Sequence, residues 1–324
     1  MPEASGGVRA ATRVLAILGP TGVGKTALAE QIAVARGGEI VTADSMQVYR
    51  GMDIGTGKPQ PAERLVRHHL VDIADPGEPF SAALYQRAAR QAIDDIAARG
   101  LLPIVCGGTG LYIRAALDDL EFPAGQAGAG SRERIQAQLG ELGPEALYAL
   151  LAERDPEAAA LIHRNNTRRV VRALEMAEEG LSYADGTRRL AQRRSVYDAR
   201  IIGLSMERAV LYGRIEARVD TMLAAGLLDE VRALLAAGYR DALTAAQAIG
   251  YKEFVPVVEG TADLAEAIGS VKQATRRYAK RQITWFGADP RVMWLDVTTM
   301  SLAEAVESAS ALLESGDETP GTQE

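Results

Sequence analysis

Short apolar runs alternate with amphipathic stretches through about the first 115 residues. The run Val14–Leu18 ends in a glycine-rich turn and predicts a buried parallel strand, and Thr26–Arg36 behind it has the composition of a helix. Further strands are predicted at Glu39–Ala43, Leu70–Ile73 and Leu102–Cys106, with an amphipathic helix at Ser81–Arg99. Strands that alternate with helices predict a parallel sheet whose ligand lies at the carboxyl ends of the strands.

The pattern changes after Asp118. A connector rich in glycine and alanine occupies 121–131, and from there to about Ala191 helical spacing dominates without a good strand. Strands return at Arg200–Leu204 and Val292–Leu295, and helices dominate 207–285. These patterns predict a core domain at 13–118 and about 198–300, with a helical insertion at about 119–197. Residues 1–12 and 315–324 are polar and rich in small residues, and they are predicted to be disordered.

Composition narrows the class of protein. Of the 324 residues, 47% are apolar and 24% charged, as is usual for globular proteins. The single cysteine, Cys106, excludes a disulfide framework and a cysteine-based zinc site, and His68 and His69 are predicted to be surface residues rather than ligands. No stretch approaches the roughly 18 apolar residues of a membrane span, and the N-terminus lacks a signal-peptide core. We therefore expect a soluble cytoplasmic protein, by default a monomer.

Positive charge is concentrated in two segments of an acidic chain. The net charge is −7, but residues 160–200 carry nine arginines against five acids, and 271–281 carries five Lys/Arg and no acid. Within them lie two rows at helical i, i+4 spacing: Arg164, Arg168 and Arg172, and Lys272, Arg276 and Lys280. Because like charges on one helix face repel, such rows indicate an anionic partner such as an RNA backbone, although a solvated helix face is the common alternative.

A phosphate loop follows the first predicted strand. Residues 19–26 (GPTGVGKT) match the pattern G-x4-G-K-[ST], with a strand before and a helix after. The backbone N–H groups of such a loop surround a phosphate, Lys25 reaches the outer phosphate, and the Thr26 hydroxyl can hold Mg²⁺. The predicted fold class is therefore α/β, with a P-loop parallel-sheet core like that of the P-loop NTPases and an all-helical insertion domain.

A second motif, DSMQVYRGMDIGTGKP at 44–59, follows the second predicted strand. Its first residue, Asp44, is therefore expected beside the phosphate loop. Taken alone, this carboxylate fits a Mg²⁺ ligand, a helix cap or a general base equally well.

Together with the phosphate loop, six motifs closely resemble those of the tRNA dimethylallyltransferases, also called tRNA isopentenyltransferases or IPP transferases. They are DSMQVYRGMDIGTGKP, GGTGLY (107–112), RRVVRALE (168–175), LYGRIEARVDTMLAAGLLDEV (211–231), AIGYKE (248–253) and TRRYAKRQITWF (275–286), and the resemblance covers about 13–296. It implies transfer of a dimethylallyl group from dimethylallyl diphosphate to N6 of the adenine 3′ of a tRNA anticodon. Diphosphate is released, and Mg²⁺ is the implied cofactor.

The resemblance also implies roles for individual residues. Asp44 would act as the base, Lys25 and Arg218 would stabilise the departing diphosphate, and Thr109 would lie near the reacting groups. The diphosphate-binding residues would be Gly19, Pro20, Thr21, Gly22, Val23, Gly24, Lys25 and Thr26, with Thr26 also the metal ligand. The tRNA-binding residues would be Asp44, Ser45, Met46, Gln47, Thr109, Arg132, Arg168, Arg169, Arg172, Gly250, Tyr251, Lys252, Arg277, Lys280 and Arg281.

Three alternatives remain at this stage. An adenylate isopentenyltransferase would prenylate free nucleotides, but it would not need the arginine-rich insertion. A P-loop kinase or ATPase would transfer or hydrolyse phosphate. An RNA-binding protein with a vestigial phosphate loop is disfavoured, because Lys25, Thr26 and Asp44 are all intact.

Overall fold

The chain folds around a sheet of six parallel strands, seen in a computed structural model that describes residues 12–122 and 131–315. The strands are β1 (Arg13–Leu18), β2 (Gly38–Ala43), β3 (His68–His69), β4 (Leu102–Gly107), β5 (Asp198–Ser205) and β6 (Val292–Asp296). Their order is β3–β2–β4–β1–β5–β6. In the central strand β1, five consecutive residues are buried, as expected for a parallel strand covered on both faces. The predicted α/β fold class is confirmed.

Twelve α-helices occur in the described residues. They are α1 (Lys25–Arg36), α2 (Ala82–Ala98), α3 (Gly110–Leu117), α4 (Ser131–Arg154), α5 (Pro156–Leu161), α6 (Thr167–Glu178), α7 (Tyr183–Gln192), α8 (Arg208–Ala224), α9 (Leu227–Ala236), α10 (Val255–Val258), α11 (Leu264–Gly287) and α12 (Leu302–Ser315). Helix α4 is broken at Gly143, where φ is 78°, and Pro144 follows directly. Within the described ranges, no helix combines the length and apolar character needed to cross a membrane.

Two compact units divide the chain. The first comprises residues up to Phe80, Tyr85–Leu117 and residues from Tyr197 onward, and the second comprises Ser81–Leu84 and Asp118–Val196. Each has its own hydrophobic core. In the first, the core includes Leu15, Ile17, Leu28, Ile32 and Ile202. In the second, it includes Ile135, Leu147, Leu151, Val170 and Leu174.

Two expectations about the region of β3 are wrong. The strand lies at His68–His69, not at Leu70–Ile73, because Leu70 and Asp72 have φ values of 63° and 58° that cannot continue a strand. Neither histidine is a surface residue. The His68 side chain is buried with its Nε2 2.9 Å from Glu30 Oε1, and Nε2 of His69 lies 2.6 Å from a carboxylate oxygen of Glu39. Of the tails predicted to be disordered (1–12 and 315–324), residues 1–11 and 316–324 lie outside the described residues, as do 123–130 of the connector.

The sheet order brings three loops together. Strands β2, β4 and β1 are neighbours, and Gly107 at the end of β4 pairs with both Leu18 and Ala43. The phosphate loop leaves β1, the 44–59 loop leaves β2, and the GGTG turn leaves β4. Because the strands are parallel, all three loops emerge at the same edge of the sheet.

Candidate active site

A cavity of about 330 Å³ opens where these three loops meet, within the size range of small-molecule sites. Phosphate-loop residues line one side of it. The rest of the lining includes residues of the 44–59 loop, of β2 and β4, and of helices α8 and α11. Polar side chains in the lining include Lys25, Thr26, Asp44, Gln47, Arg218 and Gln282. The cavity thus gathers residues from distant parts of the sequence.

The phosphate loop has the backbone of an anion site. Gly22 and Gly24 have φ values of 84° and 100°, a conformation that favours glycine. Helix α1 begins at Lys25 with Gly24 as its N-cap, so no side chain caps its first turn. The Lys25 ammonium donates to the carbonyl oxygen of Pro20 at 2.7 Å. The helix therefore presents its positive end and free N–H groups to the cavity.

Lys25 and Arg218 are two partly buried cations in this cavity. Burial lowers the pKa of Lys25 to about 8, although Cys106 and Asp44 favour its charged form. Burial also lowers the pKa of Arg218, and Asp44 again opposes the shift. Desolvation thus outweighs the local negative charge at both cations. A bound anion such as a diphosphate would supply the missing charge.

Asp44 is fixed through one of its carboxylate oxygens. Its Oδ1 accepts hydrogen bonds from the backbone N–H groups of Met46 at 2.9 Å and Gln47 at 3.4 Å. Its other oxygen accepts no hydrogen bond from the described residues. Asp44 is therefore a turn-forming residue that also keeps one free oxygen at the cavity. Of the three roles that the sequence left open, the helix cap is wrong, because no helix begins within residues 45–60.

Thr109 ties the GGTG turn to the residues around Asp44. Its N–H donates to the Ala43 carbonyl at 3.1 Å, and its hydroxyl accepts from the Ser45 N–H at 3.0 Å. Tyr278 of α11 also lines the cavity, and burial, followed by the charge of Asp44, raises the pKa of its hydroxyl to about 12. Tyr278 therefore stays protonated near neutral pH.

Arg218 reaches the cavity from α8 and is held by the 44–59 loop. Its Nη2 donates to the Thr56 carbonyl at 3.3 Å, and Nε2 of Gln47 donates to the same oxygen at 3.3 Å. Gly57 follows Thr56, and a side chain at residue 57 would overlap the guanidinium. The second half of the motif is therefore shaped around an arginine distant in sequence.

Gln282 is a site residue that the sequence analysis did not predict. It is buried on α11, where its Oε1 accepts from the Thr21 N–H at 2.9 Å and its Nε2 donates to the Gly108 carbonyl at 2.8 Å. It therefore connects the phosphate loop to the GGTG turn. The available signal was its position four residues after Tyr278, which places both side chains on one helix face.

A magnesium ion fits these donors only in company with a phosphate. Within the described part of the chain, no three His, Cys, Asp or Glu side chains cluster as a metal site. Thr26 and Asp44 line the cavity, however, and Mg²⁺ is commonly held by one or two protein oxygens together with substrate phosphates and water. The predicted Mg²⁺ ligand Thr26 stays a prediction.

The predicted tRNA-binding residues near the C-terminus differ in exposure. Lys252 is exposed, as are Arg277, Lys280 and Arg281 on α11. Gly250 and Tyr251 are buried, and the Tyr251 hydroxyl donates to Oε1 of Glu230 at 2.6 Å. In this structure, therefore, the side chain of Tyr251 offers tRNA no surface.

One predicted charge row is largely neutralised. Lys272 pairs with Asp220 at 2.7 Å, and Arg276 pairs with Glu216, both on α8. The repulsion argument is therefore wrong for these two residues. It applies only to the exposed cations Arg277, Lys280 and Arg281, of which Arg281 lies 5.7 Å from the ring centre of Tyr278.

The second unit carries the other predicted row. Arg168 and Arg169 are exposed in the first turn of α6, whereas Arg172 is half-buried and pairs with Glu175 at 3.1 Å. Arg164 precedes the N-cap Asn166, so it cannot share the helix face, and the three-residue row is wrong. Arg132 lies in the first turn of α4, with its side chain outside the described structure.

Comparison with known families agrees with this site. The family model for IPP transferase matches residues 47–289, about three quarters of the chain, and that for isopentenyl transferase matches 12–72. The chain belongs to the IPP transferase family. The predicted resemblance is thereby confirmed.

Individual relatives resemble this IPP transferase along most of their length. A tRNA dimethylallyltransferase of Geobacillus thermodenitrificans is 50% identical over 88% of this chain and 91% of its own. A tRNA isopentenylpyrophosphate transferase structure from Staphylococcus epidermidis is 38% identical with a TM-score of 0.70, covering 94% of this chain and 100% of its own. A eukaryotic dimethylallyltransferase acting on tRNA is 29% identical with a TM-score of 0.76, covering 97% of this chain and 81% of its own.

Proposed function

We propose that this chain transfers a dimethylallyl group from dimethylallyl diphosphate to N6 of the adenine 3′ of a tRNA anticodon. The observation that carries this proposal is the cavity itself. An anion-binding loop and two desolvated cations, Lys25 and Arg218, lie in one cavity with the carboxylate of Asp44. Relatives about 50% identical are named tRNA dimethylallyltransferases.

Asp44 is the base in this reaction. The N6 lone pair of adenine is delocalised into the ring, so the amine is a poor nucleophile. A carboxylate oxygen that accepts an N6 hydrogen bond localises this pair and takes the proton as the N–C bond forms. Since Oδ1 is engaged by the Met46 N–H, the free oxygen of Asp44 serves as the acceptor.

Diphosphate leaves as the N–C bond forms. The C–O bond to the bridging oxygen breaks with its electron pair, and negative charge grows on that oxygen. Lys25, Arg218 and phosphate-loop residues line the cavity, and their positive charges and N–H groups would stabilise this charge. When bound at Thr26, Mg²⁺ would supply further neutralisation of the diphosphate.

The tRNA is bound outside the cavity by exposed cations. Arg277, Lys280 and Arg281 are exposed on the helix whose Tyr278 and Gln282 line the cavity. The target adenine must leave its stack to reach the base, which costs less in an anticodon loop than in a duplex. Gln47 also lines the cavity, and the carbonyl oxygen and second amide hydrogen of its side chain would contact the base edge.

The remaining parts of the proposal concern the prenyl donor, the cellular location and the oligomeric state. Dimethylallyl diphosphate is the proposed donor because relatives about 50% identical are named tRNA dimethylallyltransferases, and the phosphate loop can bind its diphosphate. A cytoplasmic location and a monomeric state complete the proposal, and the first is supported by a single buried cysteine in the whole sequence.

A transfer assay with labelled dimethylallyl diphosphate and Mg²⁺ tests the proposal, with unmodified tRNA and AMP offered side by side. Label on the adenine beside the anticodon is the expected result. Label in AMP alone would identify a free-nucleotide prenyltransferase. ATP hydrolysis without label in either acceptor would identify a P-loop ATPase and overturn the proposal.

A further inference from the structure

The carboxylate of Glu230 binds the middle of the 44–59 loop. From helix α9, its Oε2 accepts the N–H groups of Asp53 at 3.1 Å and Ile54 at 2.8 Å, and its Oε1 accepts that of Gly55 at 3.2 Å. The Tyr251 hydroxyl donates to Oε1 at 2.6 Å. One carboxylate therefore accepts hydrogen bonds from three consecutive backbone groups and a buried hydroxyl.

Tyr251 supports Glu230 from the other side. Its side chain is fully buried, and its ring lies directly against Gly55. Burial and the neighbouring Glu230 charge raise its pKa far above the usual range, so the hydroxyl remains a donor. Neither Glu230 nor Tyr251 is among the described residues that line the cavity.

The loop that Glu230 holds leads directly to the cavity. Thr56 follows Gly55, and its carbonyl accepts from both Arg218 and Gln47. The Thr56 hydroxyl donates back to the Met52 carbonyl at 2.7 Å, which closes the turn. The position of the Thr56 carbonyl, and with it the direction of two cavity side chains, depends on how the turn is held.

Lys58, near the end of the same loop, is held by contacts that do not involve the Glu230 side chain. The Lys58 side chain is buried and donates to Asp53 Oδ1 at 2.5 Å, Asp72 Oδ1 at 2.6 Å and the Tyr49 carbonyl at 2.9 Å. These bonds anchor the loop to the fold. Loss of the Glu230 contacts should therefore shift the 53–57 turn without unfolding the domain.

We propose that Glu230, supported by Tyr251, is a positioning residue that sets the place of the Arg218 guanidinium in the cavity. It acts through the 53–55 backbone and the Thr56 carbonyl rather than by touching substrate. The role of Glu230 in prenyl transfer rests on the proposed function. The effect of Glu230 on diphosphate binding, by contrast, does not depend on which acceptor is used.

Glu230→Gln is the sharpest test. Glutamine keeps the size but replaces one acceptor oxygen with an NH₂ group, which would face backbone N–H donors. Tyr251→Phe is a milder second variant that removes a single donor. Glu304→Gln is the matched control, because Glu304 also accepts a backbone N–H, from Ser301 at 2.7 Å, but on α12 away from the cavity.

The measurement is the dissociation constant for inorganic pyrophosphate with Mg²⁺, together with the kcat of prenyl transfer. Both are determined in wild type, Glu230→Gln, Arg218→Ala and the double variant.

We expect Glu230→Gln to weaken pyrophosphate binding about fivefold and lower kcat about tenfold, with KM for tRNA unchanged. In the Arg218→Ala background it should add less than about twofold, since residues acting as a unit are not additive. Tyr251→Phe should change both quantities in the same direction, and Glu304→Gln should change neither.

The inference would be overturned if the fold-changes caused by Glu230→Gln and Arg218→Ala simply multiplied in the double variant. Unchanged pyrophosphate binding in folded Glu230→Gln would overturn it as well. If Glu230→Gln does not fold, the same cycle with Tyr251→Phe decides. A wild-type protein that binds pyrophosphate but transfers no prenyl group would overturn the proposed function, while the pyrophosphate cycle would still test Glu230.

Discussion

Gly57 lies against the guanidinium of Arg218, so that a methyl group at residue 57 would overlap Nη2 of the arginine. The glycine belongs to the 44–59 loop, and the arginine belongs to helix α8. The atom that would be displaced is the end of a flexible side chain. A larger residue at 57 would therefore move Arg218 before it disturbed the fold.

Gly57→Ala should lower kcat by at least about tenfold through this displacement. Its φ of 62° adds a strain of about 1–2 kcal/mol, which lowers stability modestly. Gly51→Ala is the matched control, because residue 51 has a φ of 72° in the same loop and meets only Leu234 at 3.7 Å. Steady-state kinetics and urea unfolding of both variants separate the two effects. Equal loss of kcat in both would show that backbone strain, not Arg218, is responsible.

Asp44→Asn should abolish prenyl transfer while tRNA binding persists. Asparagine retains a carbonyl oxygen that can accept the Met46 N–H, so the turn survives, but it cannot take a proton. It is therefore a cleaner change than Asp44→Ala, which would also remove the turn contact. Single-turnover transfer and tRNA binding by filter retention are the measurements. Joint loss of transfer and binding in a folded variant would argue against a role as base.

The parts of the site that are contiguous in sequence could be predicted from it. The phosphate loop, with its strand before and helix after, needs no distant residue to be recognised. Asp44 could be placed because it directly follows a strand. Glu230 could not, since its bonding partners lie far away in sequence and its side chain does not differ in pattern from an ordinary helix residue. Gln282 carried one weak signal, its position four residues after Tyr278, but its partner Thr21 lies 261 residues away.

The charge rows show a related difficulty. Spacing indicates which cations share a helix face, but it does not indicate whether acids on another helix neutralise them. Lys272 and Arg276 satisfy the spacing and are nevertheless paired with α8. Arg164 fails for a different reason, because a helix boundary at Asn166 separates it from the row. Helix boundaries are hard to locate from sequence, since the first turn carries little apolar periodicity.

Diphosphate affinity should fall as pH rises from 7 to 9. Burial holds the pKa of Lys25 near 8, so the free protein loses this positive charge in that range. The contribution of Lys25 to the free energy of unfolding changes in the opposite direction as pH rises. The unfolded lysine keeps its proton up to about pH 10.4, so above pH 8 the unfolded state binds more protons and this group favours folding increasingly. Deprotonation of Lys25 therefore does not destabilise the fold, and a fall in diphosphate affinity between pH 7 and 9 cannot be explained by unfolding that it causes.

Calorimetric titration with pyrophosphate across this pH range checks the expectation. Lys25→Ala is the control, because it reports the ionisation of the ligand alone. The control should bind more weakly at every pH and show no inflection near pH 8. An inflection of equal size in both proteins would assign the pH dependence to pyrophosphate instead.

The salt dependence of tRNA binding should decrease in the double variant Arg168→Ala/Arg169→Ala. Both arginines are exposed in the first turn of α6, where the positive end of the helix makes a cation unfavourable, so binding to phosphate explains their placement. Each lost phosphate contact lowers the slope of log K against log salt by about 0.7–0.9. The double variant should therefore lose about 1.4–1.8 in slope without a lower melting temperature.

Arg188→Ala/Arg189→Ala removes the same charge from the same unit, but Arg188 pairs with Glu157 and Asp185, and Arg189 pairs with Glu121. This control should keep most of the wild-type slope, and an equal decrease in both double variants would mean that only net charge matters.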